Sequence, residues 1–180
     1  GRNWNSSPCG PHTNVGGFAG TTCAIVEAGG CPVELDYELE ARHTRLYASI
    51  FASDPLIRVP DVVAQLSTKR LLTMTWCEGA PLLGYKKHVL EDRNAIAAAM
   101  FRAWWFPFSH FGVIHGDPHL GNYTIFEEGG RPAGINLLDY GCIRTFPVAF
   151  VEGVVELYRG LLAADRARVV AAYARCGFRA

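Results

Sequence analysis

The sequence predicts an α+β fold: a mostly helical C-terminal part carrying one small β-hairpin, preceded by a helix and two strands. Three observations predict it. "ELDYELEARHTRLYASIFA" (residues 34–52) places Leu35, Leu39, Leu46 and Ile50 at helical spacing with charges between them. "YTIF" (residues 123–126) and "INLLDYG" (residues 135–141) are short apolar runs separated by the turn-forming "EEGGRP" (residues 127–132). Two amphipathic stretches, at about residues 148–163 and 165–176, close the chain.

Taken in order, residues 1–33 are rich in Gly, Pro, Asn and Ser without a sustained period, which predicts irregular or disordered chain. Within them "TTCAIVEAGG" (residues 21–30) offers one short strand. The helix that starts at Glu34 is ended by Asp54-Pro55. "RVPDVVAQL" (residues 58–66) and "RLLTMTW" (residues 70–76) read as two strands joined by the tight polar turn "STK". "CEGAPLL" then breaks the pattern. Residues 86–106 read as one or two helices, the later one apolar around most of its circumference and therefore predicted to be buried. Pro107 is predicted to kink or end it. The division that follows is residues 1–33, residues 34–76 and residues 77–180.

Composition removes several functions. Seventeen basic and seventeen acidic residues cancel, and no basic stretch exceeds "YKKH" (residues 85–88), so a nucleic-acid surface is not expected. The six cysteines show no CxxC pairing, which reads as reduced thiols in a cytoplasmic protein and not as a disulfide framework or zinc site. The longest apolar stretch, residues 95–108, contains Arg102 and is too short to span a bilayer, so no transmembrane segment is predicted and membrane contact would be peripheral. No secretory signal opens the chain, which begins at Gly1 and is expected to be processed or a piece of a longer sequence.

The chemistry concentrates in "HGDPHLGNY" (residues 115–123) and "LLDYG" (residues 137–141). His115, Asp117 and His119 are plausible transition-metal ligands, but zinc sites draw ligands from separate elements, and no cysteine or second histidine pair completes this set. Magnesium prefers carboxylate, amide oxygen, water and phosphate. Asn122 and Asp139 are groups of that kind, and a hairpin starting at one and ending at the other would bring them side by side. Asp117 would then sit where a hydroxyl or water approaches the γ-phosphate. That is the layout of kinase-like phosphoryl transfer.

The same residues resemble the UbiB (AarF/ADCK) family of atypical kinases, whose loop reads HxDPHxGN followed by LLDFG. "ELDYELEA" resembles its ExD helix, "VPDVVAQLSTKRLLTMTWCEGAPL" its strand pair and hinge, and "VEGVVELYRGLLAADRARVVAAYARCGF" its following helices. The resemblance runs from Glu34 to the end of the chain. It implies a protein-kinase-like fold, a helical C-lobe with a remnant of the N-lobe, and ATP and Mg²⁺ as cofactors. It implies Asp117 as the catalytic-loop aspartate, Asn122 and Asp139 as magnesium ligands, Glu34 and Asp36 as the ExD pair, and Glu40 as the partner of a nucleotide-binding lysine. Backbone groups of Thr75 and Cys77 would contact adenine, with Met74 behind the pocket. Its substrate would be a small molecule or lipid, in keeping with the family's association with isoprenoid-quinone (ubiquinone) biosynthesis.

The chain departs from that pattern before Glu40. Its lysines are Lys69, Lys86 and Lys87, so none precedes Glu40, and KxGQ is absent because Gln65 is the one glutamine. A truncated, weakly active or inactive copy is therefore expected. Gly116 stands where protein kinases carry an arginine, and only "CIRTFP" follows Gly141 before the next helix, too little chain for a protein-substrate platform. The alternatives are a phosphotransferase of the aminoglycoside or choline kinase type and a non-catalytic C-lobe remnant.

Overall fold

The computed structural model describes residues 36–178 and the backbone of strand 22–25. Expectations for the rest of residues 1–33, and for Glu34, lie outside the described residues.

Strand β1 (Thr22–Ile25) realises the short strand expected there and pairs antiparallel with β3 (Leu72–Thr75). Helix α1 (Tyr37–Ile50) opens at Asp36, whose carboxylate accepts the Leu39 N–H at 3.1 Å as an N-cap. Its buried face is Tyr37, Ala41, Thr44 and Tyr47, whereas Leu39 and Leu46, whose spacing announced the helix, are 39% and 37% exposed. The period is right; the phase is set by the bulkier tyrosines.

The run expected as a strand over residues 58–66 is mostly not one. Strand β2 is only Ile57–Arg58, Pro60 follows it, and Ala64–Leu66 form a 3₁₀ turn. Proline has no N–H to give to a ladder. The expected pairing with β3 survives as backbone bonds from Val63 N to Thr73 O and from Thr75 N to Asp61 O, both 2.9 Å.

Strands β4 (Ala80–Pro81), β6 (Tyr123–Glu128) and β7 (Arg131–Leu137) complete a four-stranded sheet in the order β2-β7-β6-β4, with β2 parallel to β7. The expected hairpin is thus present, its turn at Gly129 and Gly130, both of positive φ. Gly134 lets β2 approach: a Cβ there would meet Phe126 Cζ at 2.5 Å and the Leu56 carbonyl carbon at 2.7 Å.

Helix α2 (Leu90–Phe111) does not end at Pro107 but runs through it to Gly112, which takes the left-handed conformation. Pro107 and Phe108 are both buried, so packing outweighs the one backbone bond that proline forfeits. Nor is the helix buried all round: Phe101, Trp104 and Phe111 remain 46–56% exposed. Strands β5 (Val113–His115) and β8 (Ile143–Thr145) pair antiparallel beyond it.

Helices α3 (Val148–Leu162) and α4 (Arg166–Arg175) follow as predicted. Glu156 joins them, accepting from Arg159 at 2.9 Å and Arg168 at 2.7 Å, and those guanidiniums hold its carboxyl below the ordinary value of 4.5. A carboxylate whose folded pKa is depressed stabilises above its unfolded value and loses that contribution as pH falls through the folded one. Glu156→Gln is therefore expected to flatten the loss of stability below about pH 4.5, read from thermal melts across pH.

The main core gathers Tyr47 and Phe51 of the α1 end, Ile57 of β2, Ile96 and Ala103 of α2, Ile125 of β6, Ile135 and Leu137 of β7, and Tyr140. It is shared by residues on both sides of position 76, and it lies directly under the loop and hairpin base.

Candidate functional site

The loop between β5 and β6 is organised by Asp117 and Asn122. The Asp117 carboxylate accepts the His119 N–H at 3.0 Å and the Asn122 side-chain N–H at 3.1 Å. His119 caps the short turn after it, its Nδ1 accepting the Gly121 N–H at 3.1 Å. These bonds commit Nδ2 of Asn122 to the loop and leave Oδ1 as the amide atom that could take a cation.

Across the hairpin base, the Leu138 N–H donates to the Asn122 carbonyl at 3.0 Å, beyond the Tyr123–Leu137 pair. Asp139 is therefore the next residue after the one bonded to Asn122. Its Oδ1 accepts the Gly141 N–H at 2.9 Å, which leaves Oδ2. Asp117, Asn122 and Asp139 are all partly exposed. Amide oxygen plus carboxylate oxygens is a hard donor set that fits Mg²⁺ better than a soft transition metal.

His115 fastens this turn from below. It is 2% exposed, and its Nε2–H donates to the Asp139 carbonyl. Tyr140 is fully buried against Tyr47 and His115, its hydroxyl donating to the Leu137 carbonyl at 2.7 Å. Burial raises that phenol well above its ordinary range. Tyr123, beside the loop, is also raised, first by burial and then by the charge of Asp117.

The other expected site residues divide. Glu40 reaches the turn, Oε1 accepting the Tyr140 N–H at 3.4 Å. Asp36 spends its carboxylate on the α1 N-terminus. Thr75 is held to Asp61: its N–H is bonded to the Asp61 carbonyl and its hydroxyl accepts the Asp61 N–H, both at 2.9 Å. Met74 is buried with Tyr37, Ala41 and Leu72. Cys77 is half-buried just beyond β3, and burial pushes its thiol up, partly offset by Arg58.

Two features were missed in the sequence. Gly116 is where β8 meets the loop: its N–H donates to the Cys142 carbonyl at 2.7 Å, and a Cβ there would meet that oxygen at 2.6 Å. His43, three residues after Glu40, donates from Nδ1 to the Tyr140 carbonyl at 3.1 Å. Its place on the same helix face as Glu40 was the signal available.

A short loop and hairpin base that present an aspartate, an asparagine and a second aspartate, with a helix glutamate behind them, define a kinase-like domain. Residues 27–173 match the family described as ABC1 atypical kinase-like domain. The chain belongs to that family. It is 32% identical over 141 residues to the AarF domain-containing protein kinase 1 of Xenopus laevis, covering 77% of this chain and 27% of that protein. It is 32% identical over 129 residues to the mitochondrial atypical kinase COQ8 of Saccharomyces cerevisiae, covering 72% of this chain and 24% of that one. The chain thus spans about a quarter of the length of these relatives. Among solved structures, Rv3197 of Mycobacterium tuberculosis, determined with erythromycin, aligns with TM-score 0.63 and 25% identity over 78% of this chain and 35% of that one. Among the described residues, no helix is long and apolar enough to cross a membrane.

Proposed function

We propose that these residues bind ATP with Mg²⁺ and form the metal and catalytic-loop half of a phosphoryl-transfer centre. The observation that supports the reading is the Leu138–Asn122 backbone bond at 3.0 Å, which brings the strand end preceding Asp139 against Asn122, whose amide donates to Asp117. Asn122 Oδ1 and Asp139 Oδ2 would hold the ion, whose charge offsets that of the phosphate oxygens. Asp117 orients the acceptor hydroxyl and takes its proton. Glu40 and His115 fix the Asp139–Tyr140 peptide from two sides. The division at residues 76 and 77 follows the same reading, with the strand leading to Cys77 as the hinge and backbone groups of Thr75 and Cys77 facing adenine.

The acceptor is a small molecule or lipid. Six residues, 142–147, separate Gly141 from α3, and three of them are paired in β8. That leaves no platform for a protein substrate. Kinship with COQ8 favours isoprenoid-quinone metabolism. The free thiols Cys77, Cys142 and Cys176 fit a reducing compartment, the cytoplasm or the interior of an organelle, with membrane contact only peripheral.

Turnover by the 180-residue chain is expected to be negligible, because no lysine precedes Glu40 to clamp the phosphates. Removing a single preorganised donor from a reaction centre costs roughly two to three powers of ten in rate. Binding is the sounder test. Calorimetry should show weak ATP binding with Mg²⁺ that disappears in EDTA; equal affinity in both would overturn the reading. Alkylation adds a second check. The raised Cys77 thiol should react with iodoacetamide more slowly than an ordinary thiol at neutral pH, and more slowly again with ATP and Mg²⁺. No nucleotide protection at Cys77, against unchanged Cys176, would remove the hinge from the adenine site.

A further inference from the structure

Besides the packing of Tyr47 on Tyr140, two side chains of helix α1 bond the backbone of the segment 139–141, and Glu40 is one of them. The other is His43, whose Nδ1–H donates to the Tyr140 carbonyl at 3.1 Å. Together with their neighbours they satisfy every backbone group of the two peptide units that carry Asp139 into its turn. His115 serves the Asp139 carbonyl, Glu40 the Tyr140 N–H, His43 the Tyr140 carbonyl, and Asp139 Oδ1 the Gly141 N–H. Two of those four partners come from one face of α1, one turn apart. A carboxylate whose two following peptides are fixed in this way is preorganised; free one carbonyl and the turn gains freedom that metal binding must then remove.

We propose that His43 is a positioning residue for the metal-ligating carboxylate, holding the Tyr140 carbonyl from α1 and so setting where Asp139 presents its free oxygen. The metal affinity of Asp139 then depends on the position of α1, which makes this helix a control element for the site. The inference rests on the reading of Asp139 as a magnesium ligand, and its test separates the two.

The atom that donates is the discriminating detail. Asn places Nδ2 two bonds beyond Cβ, as His places Nδ1, while Gln places its amide nitrogen one bond further and Leu offers no donor. A histidine that only filled space would be replaced as well by Leu as by Asn. The experiment is a paramagnetic titration of Mn²⁺ into the 180-residue chain in the presence of excess ADP, for wild type, His43→Asn, His43→Gln, His43→Leu and Asp139→Asn, with melting temperatures alongside and Mn²⁺–ADP alone as the reference. His43→Leu and His43→Gln should weaken Mn²⁺ binding about three- to tenfold, the loss of roughly one hydrogen bond. His43→Asn should stay within about twofold of wild type. Long-range proton–nitrogen spectra of the wild type should place the proton of neutral His43 on Nδ1. Equal Mn²⁺ affinity for His43→Asn and His43→Leu, or a neutral His43 protonated only on Nε2, would overturn the assignment. Should His43→Leu fail to fold, the Asn–Gln pair and the tautomer still decide it. Asp139→Asn alone reports on the metal reading: unchanged Mn²⁺ affinity there removes the site, and this inference with it.

Discussion

Asp139→Asn is expected to abolish metal-dependent nucleotide binding while leaving the fold in place. Asn keeps an oxygen that can accept the Gly141 N–H, the bond Asp139 Oδ1 makes at 2.9 Å. What it removes is the charge and the second oxygen, the atom left for a cation. Loss of a residue that merely supports a metal ligand commonly costs about 10–100-fold in affinity, so loss of the ligand charge itself should reach or exceed the upper end. Asp139 is only partly buried and its replacement is isosteric, so stability should change by no more than about 0.5 kcal/mol. Mn²⁺ titration and thermal melting on the same samples separate the two effects. Retained Mn²⁺ affinity in a folded Asp139→Asn protein would place the cation elsewhere or nowhere.

Gly134→Ala should be the most destabilising methyl addition in the hairpin. The added carbon would collide with the Leu56 carbonyl and with Phe126, and the Leu56 backbone cannot rotate away because its oxygen is bonded to the Ile135 N–H at 2.8 Å. Overpacking in a well-packed interior costs about 1–3 kcal/mol when side chains can yield, and backbone yields less. A loss of about 3 kcal/mol, or a urea midpoint about 1–2 M lower, is expected. Gly84→Ala is the control, since nothing lies within 4 Å of a Cβ there. If both substitutions cost the same, the parallel contact between β2 and β7 is not tight in solution.

What could be read in advance followed from local chemistry. The hairpin was legible because its strands are adjacent in sequence, its turn carries Gly129-Gly130, and Asn122 and Asp139 bracket it. Helices α3 and α4 were legible from period alone. Long-range contacts were not. Nothing in "IR" at Ile57–Arg58 says that it will lie parallel to β7, nearly eighty residues on. The β5–β8 pair was invisible because three residues carry no periodicity, and the small residue at Gly116 looked like a missing arginine instead of a place where two backbones meet. Helix α2 was misjudged because apolar composition was read as burial, while Phe101, Trp104 and Phe111 remain at the surface and Pro107 sits inside the helix. At the candidate site, residue types pointed to Asp117, Asn122 and Asp139, but the Thr75 N–H and the His43 contact depend on partners far away in sequence.

The setting of Tyr140 has a pharmacological consequence. In many kinase-like proteins the aromatic residue of this tripeptide governs active and inactive arrangements by where it packs. Here its ring is sealed among Tyr47 and His115, its hydroxyl is anchored to Leu137, and both flanking peptides are bonded on every side. Inverting the tripeptide would break those bonds together and open an apolar hole beneath the turn. Compounds that rely on an outward-swung aromatic should find no foothold.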